Sequence, residues 1–291
     1  MTELKVPDYR VRLFLSVDLT GSTAFKANNR SVFEWRKVFY RFYEEFPATY
    51  KKHYDGYCRS TKNIVETESN AEPKLWKTIG DEILFVNRVT SIAHLGAYIT
   101  AFSNALKDFG EKAPDSINTK GNGWLAAFPS PNCSIPIQLD DSRDAFDDLP
   151  SEEFENLVDQ EPRKFDFLGK GIDGGFRISK NSTVETFTIS PALAYLLTKA
   201  QKNEDTTGFK ATFHFNELQP FKGVIGGKPY PIMALDTNRD PKAKTVQDLE
   251  AQLLQKPPEA KNDVLLSYLE KFIDLHKIEM PVLPISSGQT C

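Results

Sequence analysis

Two aspartates stand next to apolar segments that could hold their carboxylates in fixed positions. Asp18 closes the apolar run 12–18, and Asp81 follows Gly80 at the tip of a tight hairpin. Two carboxylates brought together repel each other unless a cation lies between them. Hard divalent ions such as Mg²⁺ or Mn²⁺ accept carboxylate oxygens and leave positions open for phosphate. The pair therefore predicts a divalent-metal site, although either aspartate alone is more typical of an ordinary turn.

The residues that follow Asp18 have the composition of a phosphate-binding turn. Thr20, Gly21, Ser22 and Thr23 offer backbone N–H groups, hydroxyls and a glycine that permits close approach. Successive backbone N–H groups in such a turn form a concave site for anions. The segment therefore predicts a triphosphate-binding loop directly beside the metal site.

The elements around these residues alternate between helix-like and strand-like apolar patterns. Some segments repeat apolar residues at helical spacing, whereas shorter runs are rich in β-branched and aromatic residues. An order of strand, helix, hairpin, helix and strand indicates an α+β or α/β domain, not a helical bundle or a barrel. The patterns predict helices at about 31–57, 90–112 and 191–200, strands at 12–18, 123–128 and 185–189, and hairpins at 74–86 and 224–235.

Composition and charge exclude several classes of protein. The chain has 291 residues, of which 40% are hydrophobic, and a formal net charge of -4. This mildly acidic balance offers no electrostatic basis for binding nucleic acid or a membrane surface. The three widely spaced cysteines lack metal-binding spacing and favour a reducing, cytoplasmic location. No apolar run is long enough to predict a membrane span.

The domain organisation predicted from composition is one main domain and a tail. The main domain covers 1–236 and contains an acidic stretch at about 138–162, which is expected to be a solvated insertion with one short helix at most. The tail, 237–291, is expected to hold one amphipathic helix at 263–276. That helix is expected to dock onto the core or onto a partner.

Three segments occur in the order found in class III nucleotidyl cyclases. VDLTGST at 17–23 and KTIGDEILF at 77–85 resemble the two metal-binding motifs of that family. FDFLGKGIDGGFR at 165–177 resembles its base- and phosphate-binding segment. Each motif is weak alone, but three in family order are fairly specific. The resemblance spans roughly 11–235 and implies an α+β domain: a ferredoxin-like, palm-type antiparallel sheet flanked by helices, followed here by a C-terminal helical tail.

The resemblance also implies a reaction and the residues that perform it. In the family two ions, Mn²⁺ or Mg²⁺, activate the ribose 3′-hydroxyl, which attacks the α-phosphate and releases pyrophosphate. Asp18, Asp81 and the backbone carbonyl of Leu19 would hold the ions. Arg177 would neutralise charge on the reacting phosphate, because a guanidinium can donate to two oxygens at once.

Lys77 and Asp166 match the family pair that reads adenine, but this pair does not by itself choose a base. An ammonium donates and a carboxylate accepts, so the pair can contact adenine, uracil or cytosine. Pocket size must then decide. Tyr50, on the aromatic-rich first helix, is the candidate wall that would exclude a second purine ring, whereas most aromatics of that helix are expected in the core.

The segment that contains Arg177 departs from the usual family pattern. Asp173 stands where a catalytic asparagine is usual, and an extra carboxylate beside a triphosphate needs an offsetting cation such as Lys170. The variant most resembles the Pycsar-type pyrimidine cyclases of antiphage defence, which make cyclic CMP or cyclic UMP. This variant and the aromatic crowding on the first helix together predict UTP conversion to 3′,5′-cyclic UMP, with CTP second and ATP third.

The resemblance further implies a homodimer with composite sites. In such a dimer one protomer supplies the metal ligands and the other supplies the base and phosphate contacts. The product would be read by a separate cyclic-nucleotide-binding effector. The competing interpretation is a non-catalytic regulator with a degenerate cyclase fold. Retention of Asp18, Asp81 and Arg177 argues against it, because an inactive site need not keep all three.

Overall fold

A mainly antiparallel sheet forms the centre of the computed structural model, which describes residues 8–28, 31–61, 64, 71–114, 116–137, 150–255 and 259–286. Its strands are β1 (Arg10–Thr20), β2 (Leu75–Ile79), β3 (Glu82–Val89), β4 (Asn118–Phe128), β7 (Thr186–Ile189), β8 (Phe213–Pro220) and β9 (Pro229–Asp236). In the described residues their order is β2-β3-β1-β4-β7-β9-β8. Neighbouring strands run antiparallel except β4 and β7, which are parallel. A separate ribbon pairs β5 (Cys133–Pro136) with β6 (Phe165–Leu168).

Helices flank this sheet, so the mixed α+β class predicted from the sequence is confirmed. None of the described helices is long and apolar enough to cross a bilayer. The helices are α1 (Ser22–Asn28), α2 (Val32–Ser60), α3 (Ile92–Lys112), α4 (Glu152–Gln160), α5 (Lys170–Ile178), α6 (Pro191–Lys202), α7 (Glu204–Thr207), α8 (Pro241–Leu253) and α9 (Asn262–His276).

The central strand β1 divides its side chains between two cores. Successive residues of a strand point to opposite faces of the sheet. Leu13, Leu15 and Val17 therefore join the larger core, which contains buried residues of α2, α3, α6 and α9. Phe14 joins a smaller aromatic core on the other face, with Trp76, Trp124, Phe128 and Phe167. Asp18 has the same parity as Phe14 and emerges on this second face.

The acidic stretch is not the solvated insertion that its composition predicts. Residues 138–149 lie outside the described residues, but α4 packs on the second face of the sheet with Glu155 and Val158 fully buried. The reason is that β1 directs Arg10 and Arg12 toward α4. Arg12 Nη2 lies 2.7 Å from Glu155 Oε2 and 2.6 Å from Asp159 Oδ1. These ion pairs make α4 part of the domain.

The C-terminal part differs from the prediction in two places. A hairpin was predicted at 224–235, with its turn at the two glycines 226–227. Its strands are instead β8 and β9, and both glycines lie in the longer connection between them. The tail holds α8 as well as the predicted α9. No residue of α8 is buried, although Val246, Leu249 and Leu253 recur at helical spacing along it and remain exposed. The helix α9 is confirmed, and its buried Leu265, Leu269 and Ile273 dock it onto the larger core.

Candidate active site

Neighbouring strands carry Asp18, Glu82 and Lys120 side by side on the second face of the sheet. Asp18 is paired with Glu82 on β3 and with Lys120 on β4. Directly opposed residues of antiparallel strands are close cross-strand neighbours, so these side chains form a row. Lys120 Nζ lies 3.1 Å from Asp18 Oδ2. The row therefore joins two acids and one cation.

Two contacts hold Asp81 at the end of β1, although it lies 63 positions beyond Asp18 along the chain, and a third ties the same hairpin to α2. The backbone N–H of Leu19 donates to the Asp81 carbonyl at 3.1 Å. The hydroxyl of Ser22 donates to the Asp81 carboxylate. On the other side of the turn, the hydroxyl of Tyr43 on α2 donates to the Gly80 carbonyl. The hairpin tip is thus tied both to the turn after β1 and to α2.

Asp18 and Asp81 line one cleft of about 200 Å³. Among the described residues Asp81 forms no ion pair, and its partner Ser22 supplies no positive charge. A hard cation would supply that missing charge. The described part of the chain contains no group of three or more His, Cys, Asp or Glu residues placed to hold a metal. Ions here would therefore need oxygens beyond the two carboxylates, from the Leu19 carbonyl and from substrate phosphate. The cleft is also lined by Ser16, Glu82, Lys120, Asn122, Lys180 and Ser182.

Glu82 is half-buried beside this pair. The hydroxyl of Ser16 donates to Glu82 Oε1 at 2.5 Å. Burial raises the pKa of the Glu82 carboxyl above its ordinary value, while the hydrogen bond from Ser16 lowers it. The nearby carboxylates of Asp18 and Asp81 add to the rise, so a positive charge in the cleft would favour the ionised form of Glu82.

The predicted triphosphate loop forms the turn between β1 and α1. Gly21 adopts a φ of +84°, and a Cβ there would overlap the carbonyl oxygen of Ser116, so this turn requires glycine. Thr20 Oγ1 is buried without a hydrogen-bond partner in the part of the chain that the structure describes. Ser22 is buried and its hydroxyl holds Asp81, whereas Thr23 is exposed. Ser22 thus has a local role that the sequence did not indicate.

The structure brings Lys77 and Asp166 together as an ion pair. Lys77 Nζ lies 2.9 Å from Asp166 Oδ1, and both side chains are partly exposed. The same ammonium lies 4.0 Å from the centroid of the Trp76 ring. Neither residue lines the Asp18 cleft. The two residues predicted to contact the base therefore form an ion pair that does not line the cleft of Asp18 and Asp81.

Arg177 and Asp173 lie one turn apart on α5, also outside the Asp18 cleft. The Arg177 Nη1 donates to the backbone carbonyl of Asp173 at 3.3 Å. Asp173 is exposed, and Arg177 is half-buried. Within one chain, therefore, neither the Lys77–Asp166 pair nor Asp173 and Arg177 line the cleft that holds the predicted metal ligands Asp18 and Asp81.

Comparison with known proteins rests on structures, because no protein-family model and no curated protein matches the chain. The crystal structure of the adenylyl cyclase CyaB from P. aeruginosa is similar over 80% of this chain and 97% of that chain, with 10% sequence identity and a TM-score of 0.50. The chain has the class III cyclase fold. The guanylate cyclase domain of RhGC from Catenaria anguillulae, crystallised with GTP, matches over 80% of this chain and 100% of that chain, with 13% identity and a TM-score of 0.46.

In this cyclase fold the glycine at position 175 has a packing reason. A Cβ built at Gly175 would overlap the ring of Trp124, whereas one built at Gly174 meets no atom within 4 Å. Glycine at 175 therefore allows α5, the helix that carries Arg177, to lie directly on the aromatic core of the second face.

The two glycines provide a matched pair of variants. Gly175→Ala is expected to destabilise the protein by about 1–3 kcal/mol, because overpacking displaces α5 or Trp124. Gly174→Ala is expected to stabilise it by up to about 1 kcal/mol, since alanine favours a helix interior. Urea unfolding at one protein concentration measures both. Equal effects of the two variants would contradict the packing explanation.

Tyr50 does not form a wall of any nucleotide site in this cyclase fold. It is fully buried in the larger core, on the opposite side of the sheet from Asp18. Its ring packs edge-on against Phe85 at 5.2 Å and Phe102 at 5.1 Å between ring centroids. Burial raises the pKa of its phenol well above the ordinary value. The prediction that Tyr50 selects the base is therefore wrong.

Several contributions to the cleft were not predicted from the sequence. Tyr43 does not line the cleft, but it packs at the edge of the larger core and its hydroxyl holds the hairpin tip. Lys120 and Asn122 enter the cleft only through the pairing of β4 with β1. A strand register between segments a hundred residues apart leaves no local sequence signal, so no pattern at 118–128 could have assigned them.

Proposed function

We propose that the chain is a metal-dependent nucleotidyl cyclase, which converts a nucleoside triphosphate into a 3′,5′-cyclic nucleotide and pyrophosphate. The observation that carries the proposal is the tethering of Asp81 to the end of β1, which places it with Asp18 in one cleft. Two rigidly held carboxylates, of which only Asp18 is paired with a lysine among the described residues, suit a site for hard divalent ions. The class III cyclase fold supplies the context in which such a site performs cyclisation.

In this proposal different residues bind the metal ions, the phosphates and the base. Asp18, Asp81 and the Leu19 carbonyl would hold two ions, Mn²⁺ or Mg²⁺. When bound, these ions lower the pKa of the ribose 3′-hydroxyl and screen the triphosphate. The turn at 20–23 would contact the triphosphate. Arg177 would neutralise the reacting phosphate through its forked donors.

The separation of the two residue sets supports a homodimer with shared sites. Lys77, Asp166, Asp173 and Arg177 do not line the cleft of their own chain. A second copy related by a two-fold axis would present its own base and phosphate residues to the Asp18 cleft, and the arrangement would be reciprocal. Each dimer would then contain two equivalent active sites.

For the substrate we propose UTP first, CTP second and ATP third. The Lys77–Asp166 pair matches the hydrogen-bonding edges of all three bases. What favours a one-ring base is the motif variant that ends in Phe176-Arg177, together with aromatic bulk near the pair. The Phe176 ring centroid lies 6.1 Å from that of Trp76, whose ring lies under the Lys77 ammonium.

Phe176→Ala is accordingly expected to raise activity on ATP relative to UTP by about tenfold, because shape discrimination is worth roughly 1–3 kcal/mol per misfit group. Product formation from each nucleotide at equal metal concentration measures the ratio. Phe39→Ala, which removes a buried aromatic on the other side of the sheet, serves as the control and should leave the ratio unchanged. An unchanged ratio in Phe176→Ala would return the Lys77–Asp166 pair to an ordinary adenine-reading role.

The proposed function is tested with purified protein, Mn²⁺ and each of the four nucleoside triphosphates in separate reactions. Mass spectrometry of the products identifies the base and the cyclic phosphate, and a pyrophosphate assay checks the stoichiometry. Cyclic UMP is the expected main product. Absence of every cyclic nucleotide would reject the cyclase proposal, whereas cyclic AMP as the main product would reject only its pyrimidine part.

We further propose the setting that the pyrimidine-cyclase resemblance implies. The cyclic nucleotide would act in the cytoplasm as a second messenger of antiphage defence. A separate cyclic-nucleotide-binding effector would read it.

A further inference from the structure

Lys120 contacts the Asp18 carboxylate, to which a metal ion would also bind. Its Nζ lies 3.1 Å from Asp18 Oδ2, and the two side chains are 28% and 30% exposed. Glu82 stands on the other side of Asp18 in the same row. The row of two acids and one lysine carries one net negative charge, and Asp81 adds a second from the hairpin tip.

The two partners in this ion pair differ in mobility. Asp18 has a short side chain on a strand that is hydrogen-bonded on both edges, to β3 and to β4. Lys120 carries its ammonium on a flexible four-carbon stem near the start of β4. A divalent ion bound at Asp18 would repel the Lys120 ammonium, which lies 3.1 Å from an oxygen of the same carboxylate. Because only the lysine can move, the ion would displace Lys120 and leave Asp18 in place.

The wall of the cleft beside Lys120 contains unused hydrogen-bond donors. Asn122 and Ser182 line the same cleft and are 1% and 8% exposed. Their Asn122 Nδ2 and Ser182 Oγ atoms have no hydrogen-bond partner within the described segments. An amide N–H and a hydroxyl suit the oxygens of an anion such as a phosphate group. Lys120 and the exposed Lys180 both line this cleft and could supply positive charge for that anion, but of the two only Lys120 is paired with Asp18 in the described residues.

We propose that Lys120 is an exchangeable counter-ion of Asp18. It neutralises this carboxylate before a divalent ion arrives, and afterwards its ammonium contacts the polyphosphate group beside Asn122 and Ser182. The second step rests on the proposed function, since a polyphosphate must enter the cleft, whereas the first step does not. One side chain thus weakens metal binding and strengthens polyphosphate binding. A lysine that only stabilised the fold would not affect the two ligands in opposite directions.

Lys120→Met tests both steps without requiring turnover. The first probe is Mn²⁺ alone, with free Mn²⁺ followed by electron paramagnetic resonance. The second is preformed Mn²⁺–tripolyphosphate titrated calorimetrically into protein saturated with Mn²⁺. We expect the variant to bind Mn²⁺ about fivefold to tenfold more tightly and tripolyphosphate about tenfold less tightly than wild type.

Two further variants serve as matched controls. Lys120→Arg keeps the charge and should retain wild-type affinity for tripolyphosphate. Lys52→Met removes an exposed lysine of α2, on the other side of the sheet, and should change neither affinity.

The outcomes separate this inference from the proposed function. Unchanged or weaker Mn²⁺ binding by Lys120→Met, or no Mn²⁺ binding by wild type, would overturn the counter-ion role. Tighter Mn²⁺ binding with unchanged tripolyphosphate binding would overturn the second step. If both opposed shifts occur but no cyclic nucleotide is ever formed, the counter-ion role stands and the cyclase function fails. If wild type cyclises and the shifts are absent, the inference alone fails.

Discussion

Asp18→Ala is expected to lower cyclic nucleotide formation by about 10³-fold or more, because several kcal/mol of transition-state stabilisation depend on the bound ions. Asp81→Ala should have the same effect, since both carboxylates face one cleft. The fold should survive. The lost Asp18–Lys120 pair is partly exposed and contributes up to about 1 kcal/mol, and removing one acid relieves repulsion in the metal-free cleft.

Activity is measured as cyclic product at saturating Mn²⁺, and stability by urea unfolding of the same preparations. Asp55→Ala is the control, because it removes a surface acid that pairs only with Lys51 on α2 among the described residues. Near-normal turnover in either Asp18→Ala or Asp81→Ala would reject the two-carboxylate assignment.

The same variant tests whether the sites are shared between protomers. Asp18→Ala and Arg177→Ala should each be inactive alone. Random exchange of subunits would place both intact residues at one of the two sites in each mixed dimer, restoring about a quarter of wild-type activity. Subunit exchange is verified with two differently tagged chains. No recovery after verified exchange would show that each site is built within one chain.

Arg12→Ala is expected to reduce the free energy of unfolding by about 3–5 kcal/mol, because it leaves a buried carboxylate without its main partner. The side chains of Arg12 and Glu155 are each 1% exposed, and their charged atoms lie 2.7 Å apart. Arg12 also lies over the Phe128 ring at 4.6 Å from its centroid. Loss of these contacts should release α4 from the sheet.

Arg88→Ala is the matched control for this prediction. Arg12 also contacts Asp159. Arg88 Nη1 lies 3.6 Å from Asp159 Oδ2, but the Arg88 side chain is 37% exposed. A partly exposed pair of this kind contributes less than about 1 kcal/mol. Urea unfolding at one fixed protein concentration compares the variants, because dimerisation would make stability depend on concentration. Hydrogen exchange at 152–160 reports on α4 directly. If Arg12→Ala costs no more than Arg88→Ala, the buried network does not hold the helix.

Much of the fold was predictable because its signals are local. The strand that ends at Asp18, the hairpin that presents Asp81 and the helix at 262–276 all follow from apolar spacing and turn residues over short segments. The two aspartates and the Lys77–Asp166 pair could be selected by residue type, motif order and resemblance. The structure brings each of these pairs together, and their chemical roles stay predictions.

The burial of Tyr50 could also have been predicted from the local sequence, although the prediction that it excludes a purine base ignored the helical spacing. Phe42, Phe46, Tyr50 and Tyr54 recur every four residues along α2, which places them on one face of the helix. All four are buried in the larger core. Tyr43 lies one position away from this stripe, and it is the residue that reaches the hairpin beside Asp81.

The remaining features of the site were decided by tertiary structure alone. Lys120 becomes the partner of Asp18 because β4 pairs with β1 in one register, and a shift by one residue would turn its side chain to the other face. The many acids of α4 predict a solvated segment. The helix nevertheless packs on the sheet, because Arg10 and Arg12 of β1 form ion pairs with its acids. Local patterns specify which face of an element is apolar. Which charges meet across the sheet depends on pairing between distant segments, and that pairing has no local sequence signal.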